Sequence, residues 1–188
     1  MLFRSEYNKD NDLVNKIRGK ASEFLFAYHW YSIIDNSKHQ LLQPNPDIGW
    51  DWMIASTGDR IQVKRLTNSV HKQIHAPDVL DIRKKRRKKD EHGSLKDKHL
   101  RYTKEDFDYL AIHVIKHNIW CVLPFEQLLV DTEDGPQCKT GISMKGILRD
   151  RNYLTIEQLF STVAENVVEK PVEKECIKKY STSVLSFV

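Results

Sequence analysis

The stretch from Trp50 to Leu66 constrains this chain more than any other. It reads as two strands, Trp50–Ala55 and Arg60–Leu66, joined by Ser56-Thr57-Gly58-Asp59, four residues with turn chemistry. Side chains alternate across a strand. With residues 56 to 59 as the turn, Asp51 lies opposite Lys64, and Asp51, Gln62 and Lys64 share one face. Trp52, Ile54, Ile61 and Val63 share the other. A face of large apolar side chains belongs in a core, so the pattern predicts a hairpin buried on that side. The opposite face gathers a carboxylate, an amide and an ammonium within cross-strand reach, roughly 5 to 8 Å. A different turn could slip the register and scramble this set.

The segments around the hairpin supply its layers. Residues 12 to 35 predict an amphipathic helix, with Leu13, Ile17, Ala21, Phe24, Leu25 and Tyr28 as its apolar positions. Asp12 is its expected cap, Gly19 a weak point, and Asn36-Ser37 its end. Pro44, Pro46 and Gly49 make the approach to Trp50 irregular. Residues 67 to 100 are polar, basic and poor in large apolar side chains, and read as a loop or excursion. Two strands follow, Phe107–Ile115 and Ile119–Leu123, with Asn118 as the turn between them and Pro124 as a stop. Phe125–Val130 reads as a short helix or turn, and 131 to 152 as a mixed stretch broken at Gly135-Pro136, Gly141 and Gly146. Thr155 caps a helix to about Val168, with Leu159, Phe160 and Val163 as its apolar face. The order predicts one α/β domain over 1–168, a central mixed sheet flanked by helices, with a C-terminal tail at 169–188.

Composition fits such a domain: 188 residues, 40% hydrophobic and 30% charged. The net charge is +4, yet Arg83-Lys84-Lys85-Arg86-Arg87-Lys88-Lys89 alone contributes more than that. The basicity is therefore local, as suits a patch that meets an anion. Cys121, Cys138 and Cys176 are sparse and odd in number, which argues against a disulfide framework or a zinc site and for a reducing, cytoplasmic setting. No run approaches the roughly 20 apolar residues of a membrane span, and the polar Met1–Asp12 is not a signal peptide.

The polar face of the hairpin suggests a chemistry. A carboxylate and an amide oxygen are hard ligands suited to Mg²⁺. A neighbouring lysine can orient a water or stabilise the charge of a pentavalent phosphorane, and metal plus lysine serves phosphodiester hydrolysis. Asp47 competes with Asp51 for the acidic role, but it lies in the loop before Gly49, whereas Asp51 begins a strand, where aspartate is depleted. His71 and His75 have i, i+4 spacing but no third ligand nearby; Lys72 and His75 fit phosphate better. Trp50 could stack on a base, while alternation sends Trp52 to the core.

These residues resemble a family. Ser22-Glu23 in the first helix, Asp51 at a strand start within Trp50-Asp51-Trp52-Met53-Ile54, and Gln62-Val63-Lys64 on the next strand are similar to the signature of the PD-(D/E)xK nucleases. The approach from Pro44 and the pair Tyr102–Ile112 and Trp120–Pro124 extend the likeness over roughly residues 12 to 130. The form is similar to the branch of cyanobacterial group I intron homing endonucleases and archaeal Holliday junction resolvases. The resemblance implies a restriction-endonuclease-like core and a metal-dependent endodeoxyribonuclease of homing, restriction or resolvase type. Glu23, Asp51 and Gln62 would hold Mg²⁺, or Mn²⁺ in its place, with the Val63 carbonyl as a further ligand, and Lys64 would serve the attacking water. Gln62 departs from the usual glutamate and lowers the site's charge. It also keeps open a different reading, a nucleic-acid-binding module that kept the fold without cleavage. The partner would be DNA, gripped by Lys72 and the run Arg83, Lys84, Lys85, Arg86, Arg87, Lys88 and Lys89, and the assembly a homo-oligomer, dimer or tetramer.

Overall fold

The hairpin is the middle of a five-stranded mixed sheet. The structure, a computed structural model, describes residues 3–33, 39–44, 50–66, 79–89 and 95–167, with 3–12, 85–89, 95–98 and 166–167 as backbone only. The chain runs α1 (Phe3–Ile33), β1 (Leu41–Leu42), β2 (Trp52–Ile54), β3 (Arg60–Leu66), β4 (Val79–Asp81), β5 (Lys84–Lys89) and β6 (Leu95–Leu100). It continues through β7 (Tyr109–Val114), β8 (Ile119–Pro124), β9 (Leu129–Thr132), β10 (Gly135–Cys138), β11 (Gly141–Ser143), α2 (Met144–Asp150) and α3 (Ile156–Val167). The main sheet has the order β1-β2-β3-β7-β8, with β3 and β7 parallel and the other pairs antiparallel.

Strand β3 matches its expected bounds, and the turn before it is displaced by one residue. Ile54 N donates to Asp59 O at 2.8 Å and Gly58 N to Ile54 O at 2.8 Å, so the loop is Ala55–Gly58. Gly58 has φ +78, a left-handed conformation that costs a glycine little. Moving the turn by one shifts the pairing by two: Trp52 faces Ile61 and Met53 faces Arg60. Gln62, rather than Lys64, is thereby Asp51's neighbour across the hairpin. A shift of two keeps every side chain on its expected face.

Both faces of the sheet are covered. On one, Trp52, Ile54, Ile61 and Val63 pack with Phe26 and Trp30 of α1 and Leu159 and Val163 of α3. On the other, Trp50, Met53, Leu110 and Ile112 pack with Leu80, Phe107, Ile142 and Met144. Helix α3 begins as expected in a reciprocal capping box: Gln158 N donates to Thr155 Oγ1 at 3.2 Å, and Thr155 N to Gln158 Oε1 at 2.8 Å. Arg60 ties β3 to the start of β7, donating through Nε and Nη2 to the two carboxylate oxygens of Asp108 at 2.9 and 3.1 Å. All four tryptophans, at positions 30, 50, 52 and 120, are buried.

Three expectations change. Helix α1 is continuous through Asp12 and Gly19, so Asp12 lies within the helix and not at its start. Its expected apolar face also points outward. Ile17, Phe24 and Tyr28 are 60%, 55% and 67% exposed, while Ser22, Phe26 and Trp30 face the sheet. The charged stretch expected as a loop contains β4, β5 and β6, and the mixed stretch after it contains β10, β11 and α2. Asn36, Ser37, Asp47, His71, Lys72, His75, Cys176 and the tail 169–188 lie outside the described residues. Among the described residues no helix is long and apolar enough to cross a membrane.

Phe26 is fully buried against Trp30 and Trp120, with ring centroids 6.2 and 5.4 Å away. Phe26→Ala is expected to cost about 3 to 5 kcal/mol in urea unfolding, the cost of an aromatic-sized cavity. A loss under 1 kcal/mol would show that α1 does not depend on this contact.

Candidate active site

Asp51 sits at the bend entering β2, held by main-chain bonds on both sides. Its amide donates to Ile61 O at 2.9 Å, and its Oδ2 accepts from Val63 N at 2.7 Å. The Gln62 side-chain amide donates to that same Oδ2, and to Val63 O at 3.2 Å. One amide nitrogen thus lies between a carboxylate oxygen and a main-chain carbonyl. Gln62 itself is buried.

Helix α1 brings the second carboxylate. Trp52 Nε1 donates to the Glu23 main-chain carbonyl at 3.1 Å, which pins that turn of the helix to the hairpin. The Glu23 side chain is mostly covered and receives Lys20 Nζ at 2.5 Å. Burial, and next the negative charge of Glu23, push the Asp51 carboxyl up to about 6, against the opposing pull of Val63 N–H, Lys64 and Lys20. Burial lowers the pKa of Lys64, opposed by Asp51, Asp81 and Glu23. The structure therefore brings Glu23, Asp51, Gln62 and Lys64 into one electrostatic cluster, with the Val63 carbonyl at its edge.

Three further groups border the cluster without a signal in the sequence. Lys20 precedes Glu23 by one helical turn. Asp81 on β4 attracts the Lys64 charge. Tyr102, 5% exposed, places its ring 5.7 Å from Lys64 Nζ and 5.9 Å from Lys84 Nζ. Asp81 and Tyr102 stand 17 and 38 residues beyond Lys64, and only packing between distant elements brings them here.

The expected DNA-contacting residues fall into two groups. Arg83 donates to Asp81 through Nε at 3.0 Å and Nη2 at 2.7 Å, and Lys84 Nζ contacts both oxygens of Asp106 at 2.8 and 2.7 Å. Lys85, Arg86, Arg87, Lys88 and Lys89 continue β5, paired in register with Leu95–His99 of β6. Lys72 is outside the described residues. Trp50, expected as a possible stacking residue, is core.

The donor set can be tested against a cation. Among the described residues no three His, Cys, Asp or Glu side chains converge as a metal site. Two carboxylates, an amide and a carbonyl do meet here, all oxygen donors of the kind Mg²⁺ accepts. Burial and then the nearby charge of Glu23 leave the Asp51 carboxylate in want of a positive charge. Rotating the Gln62 amide by half a turn would present Oε1 in place of Nε2, an exchange the amide's shape permits. The residues fit a hard divalent ion, with one neutral donor where a third carboxylate would bind it more tightly.

No family model and no curated protein sequence matches this chain. Its structure is similar to that of a bacterial homing endonuclease, I-Ssp6803I, with a TM-score of 0.51 and 16% sequence identity, covering 84% of this chain and 98% of that one. The fold is thus shared with a nuclease. The mixed sheet flanked by helices is as expected from the sequence.

The Asp51 shift has a thermodynamic consequence. Its folded value lies above the ordinary aspartate value of 3.8, so the folded protein binds this proton more tightly than the unfolded chain. The cost of the buried charge is full above pH 6 and fades as the pH falls toward 4. In EDTA, Asp51→Asn is expected to be the more stable protein at pH 8 by about 2 to 3 kcal/mol, the gap closing by pH 4. Urea unfolding across that range measures it, and a gap independent of pH would mean Asp51 ionises as it does in water.

Proposed function

We propose that this chain is a metal-dependent DNA endonuclease of the PD-(D/E)xK type. The observation that carries the reading is the junction at Gln62, where Asp51 Oδ2 and Val63 O converge on one side-chain amide. Glu23 stands on the adjoining helix turn and Lys64 one alternation further along β3. The shared fold with a homing endonuclease supports the same reading.

In this reading Glu23, Asp51, the rotated Gln62 amide and the Val63 carbonyl hold Mg²⁺ or Mn²⁺. A bound ion supplies a Lewis acid for the phosphoryl oxygen and a water acidic enough to attack at neutral pH. The protein's own groups do the rest. Asp51 is fixed by the Val63 amide, so its carboxylate keeps one orientation as substrate arrives. Lys64, mostly buried, offers N–H donors to the attacking water and to the charge that develops on the phosphorane. Its ammonium is little hydrated, so those hydrogen bonds are stronger than in water.

The β5–β6 hairpin would carry the DNA backbone. Lys85 to Lys89 supply sequence-independent phosphate contacts that weaken steeply with salt. Arg83 and Lys84 already have carboxylate partners and would serve the site more than the duplex. The reading goes with the cytoplasmic setting expected from the sparse cysteines, and cutting both strands asks for two copies.

Purified protein and its Lys64→Ala variant, incubated with supercoiled and branched DNA in Mg²⁺ or EDTA, test the reading. Mg²⁺-dependent nicking is expected, reduced by at least ~100-fold in the variant, with substrate preference separating resolvase from the other types. Gln62→Glu is expected to tighten Mn²⁺ binding measured by calorimetry, and Asp51→Ala to abolish it. Gln62 satisfies Asp51 with no cation, which also suits a DNA-binding module without cleavage. Salt-dependent DNA binding with no Mn²⁺ uptake by either wild type or Gln62→Glu would establish that module instead.

A further inference from the structure

Helix α1 has two apolar faces, and the fold covers mainly one; on the other, only Phe24, edge-on to Trp52, and Tyr31, whose hydroxyl is bonded to the Leu41 main chain, touch the rest of the chain, and both stay exposed. Ser22, Phe26 and Trp30 meet the sheet. At 100° per residue, Val14, Ile17, Ala21, Phe24, Tyr28 and Tyr31 form a straight stripe on the opposite side. All six are exposed, and most of the large apolar side chains exposed among the described residues lie on this one helix. Single exposed apolar residues are ordinary; a contiguous stripe of them marks an interaction surface.

The spacing of the stripe is 3, 4, 3, 4, 3, the seam by which helices of like kind pack side by side. Its size order suggests the direction. The N-terminal half is small and aliphatic (Val14, Ile17, Ala21) and the C-terminal half aromatic (Phe24, Tyr28, Tyr31). Two copies in parallel would set ring against ring at one end and leave a gap at Ala21. Two copies antiparallel set Ala21 against Phe24, Ile17 against Tyr28 and Val14 against Tyr31, large facing small throughout. Complete covering of these side chains would bury on the order of 500 Å² per copy at most, about 1,000 Å² in the pair, the lower bound for a specific interface. Arg18 and Lys20 lie on the two flanks of this seam rather than in it.

We propose that α1 is a self-association helix, on whose outer face a second copy of this chain packs antiparallel about a two-fold axis between Ser22 and Glu23. The seam and the candidate site would use opposite sides of the same helix turn. Each Glu23 would look away from the axis, so the two Asp51–Gln62 clusters flank the helix pair symmetrically. For the proposed nuclease this deepens the reading by naming the surface that joins two sites, one for each strand. The association itself involves neither metal nor DNA.

Sedimentation equilibrium of the full chain, without metal or DNA and over a micromolar concentration range, tests the proposal. The wild type is expected as a dimer or an even multiple. Ile17→Glu with Tyr28→Glu is expected to weaken dimerisation by at least ~100-fold while leaving the circular dichroism unchanged, since both side chains are outside the core. Direction is read by oxidation in a Cys176→Ser background. Ile17→Cys with Tyr28→Cys in one chain should cross-link the dimer, and Ile17→Cys alone should not. A wild type that stays monomeric, or an assembly unmoved by the two glutamates, overturns the proposal. Cross-linking by Ile17→Cys alone overturns the antiparallel arrangement. Unchanged mass with weakened DNA binding would assign the stripe to DNA and likewise overturn it. A failure to cleave DNA would leave every one of these measurements intact.

Discussion

The structure depends on a hairpin buried from both sides. Strands β2 and β3 lie between one apolar layer from α1 and α3 and another from β4, β11 and the start of α2. A strand in that position would ordinarily be apolar at every residue. Asp51, Gln62 and Lys64 break that rule on one face, and a broken local rule in an otherwise consistent fold is where a site is sought. The rest of the local design limits the cost. The carboxylate is met by a main-chain amide, the glutamine by two acceptors, and the ammonium by three carboxylates within electrostatic reach and an aromatic ring.

The helix and the hairpin are joined by a bond that looks minor. Trp52 sends its ring into the core, yet its one polar atom reaches back to the Glu23 carbonyl. An apolar requirement and a polar one are thus met by one side chain, and the second carboxylate arrives at the first as a by-product of packing. Phe24 extends the same contact from outside, its ring edge-on to Trp52 at 6.5 Å. The site and the outer stripe of α1 are in this sense back to back.

Much of this was legible in the sequence because the strand period is two. The turn came one residue earlier than its composition suggested, and the pairing moved by two, which left Trp52, Ile54, Ile61 and Val63 inward and Asp51, Gln62 and Lys64 together. Thr155 was legible for a different reason, since a capping box is written in adjacent residues. The inward face of α1 is not legible because its periodicity is real on both sides: a stripe at helical spacing says that a face is apolar, and says nothing about what covers it. Strands β4, β5 and β6 are not legible in the sequence because charge hides strand pairing when the backbone supplies the bonds. Asp81 and Tyr102 reach Lys64 only through the packing of β4 and the loop before β7, and no local pattern encodes that.

The distribution of tryptophan gives the molecule a built-in optical map. Trp30, Trp52 and Trp120 report on the layer beneath α1 and α3, and Trp50 alone on the other layer. Trp52 touches the turn that bears Glu23, so its emission is a reading of how helix and hairpin are seated. Replacing three of the four indoles by phenylalanine in rotation would separate the two layers spectroscopically and show whether they melt as one body or in succession.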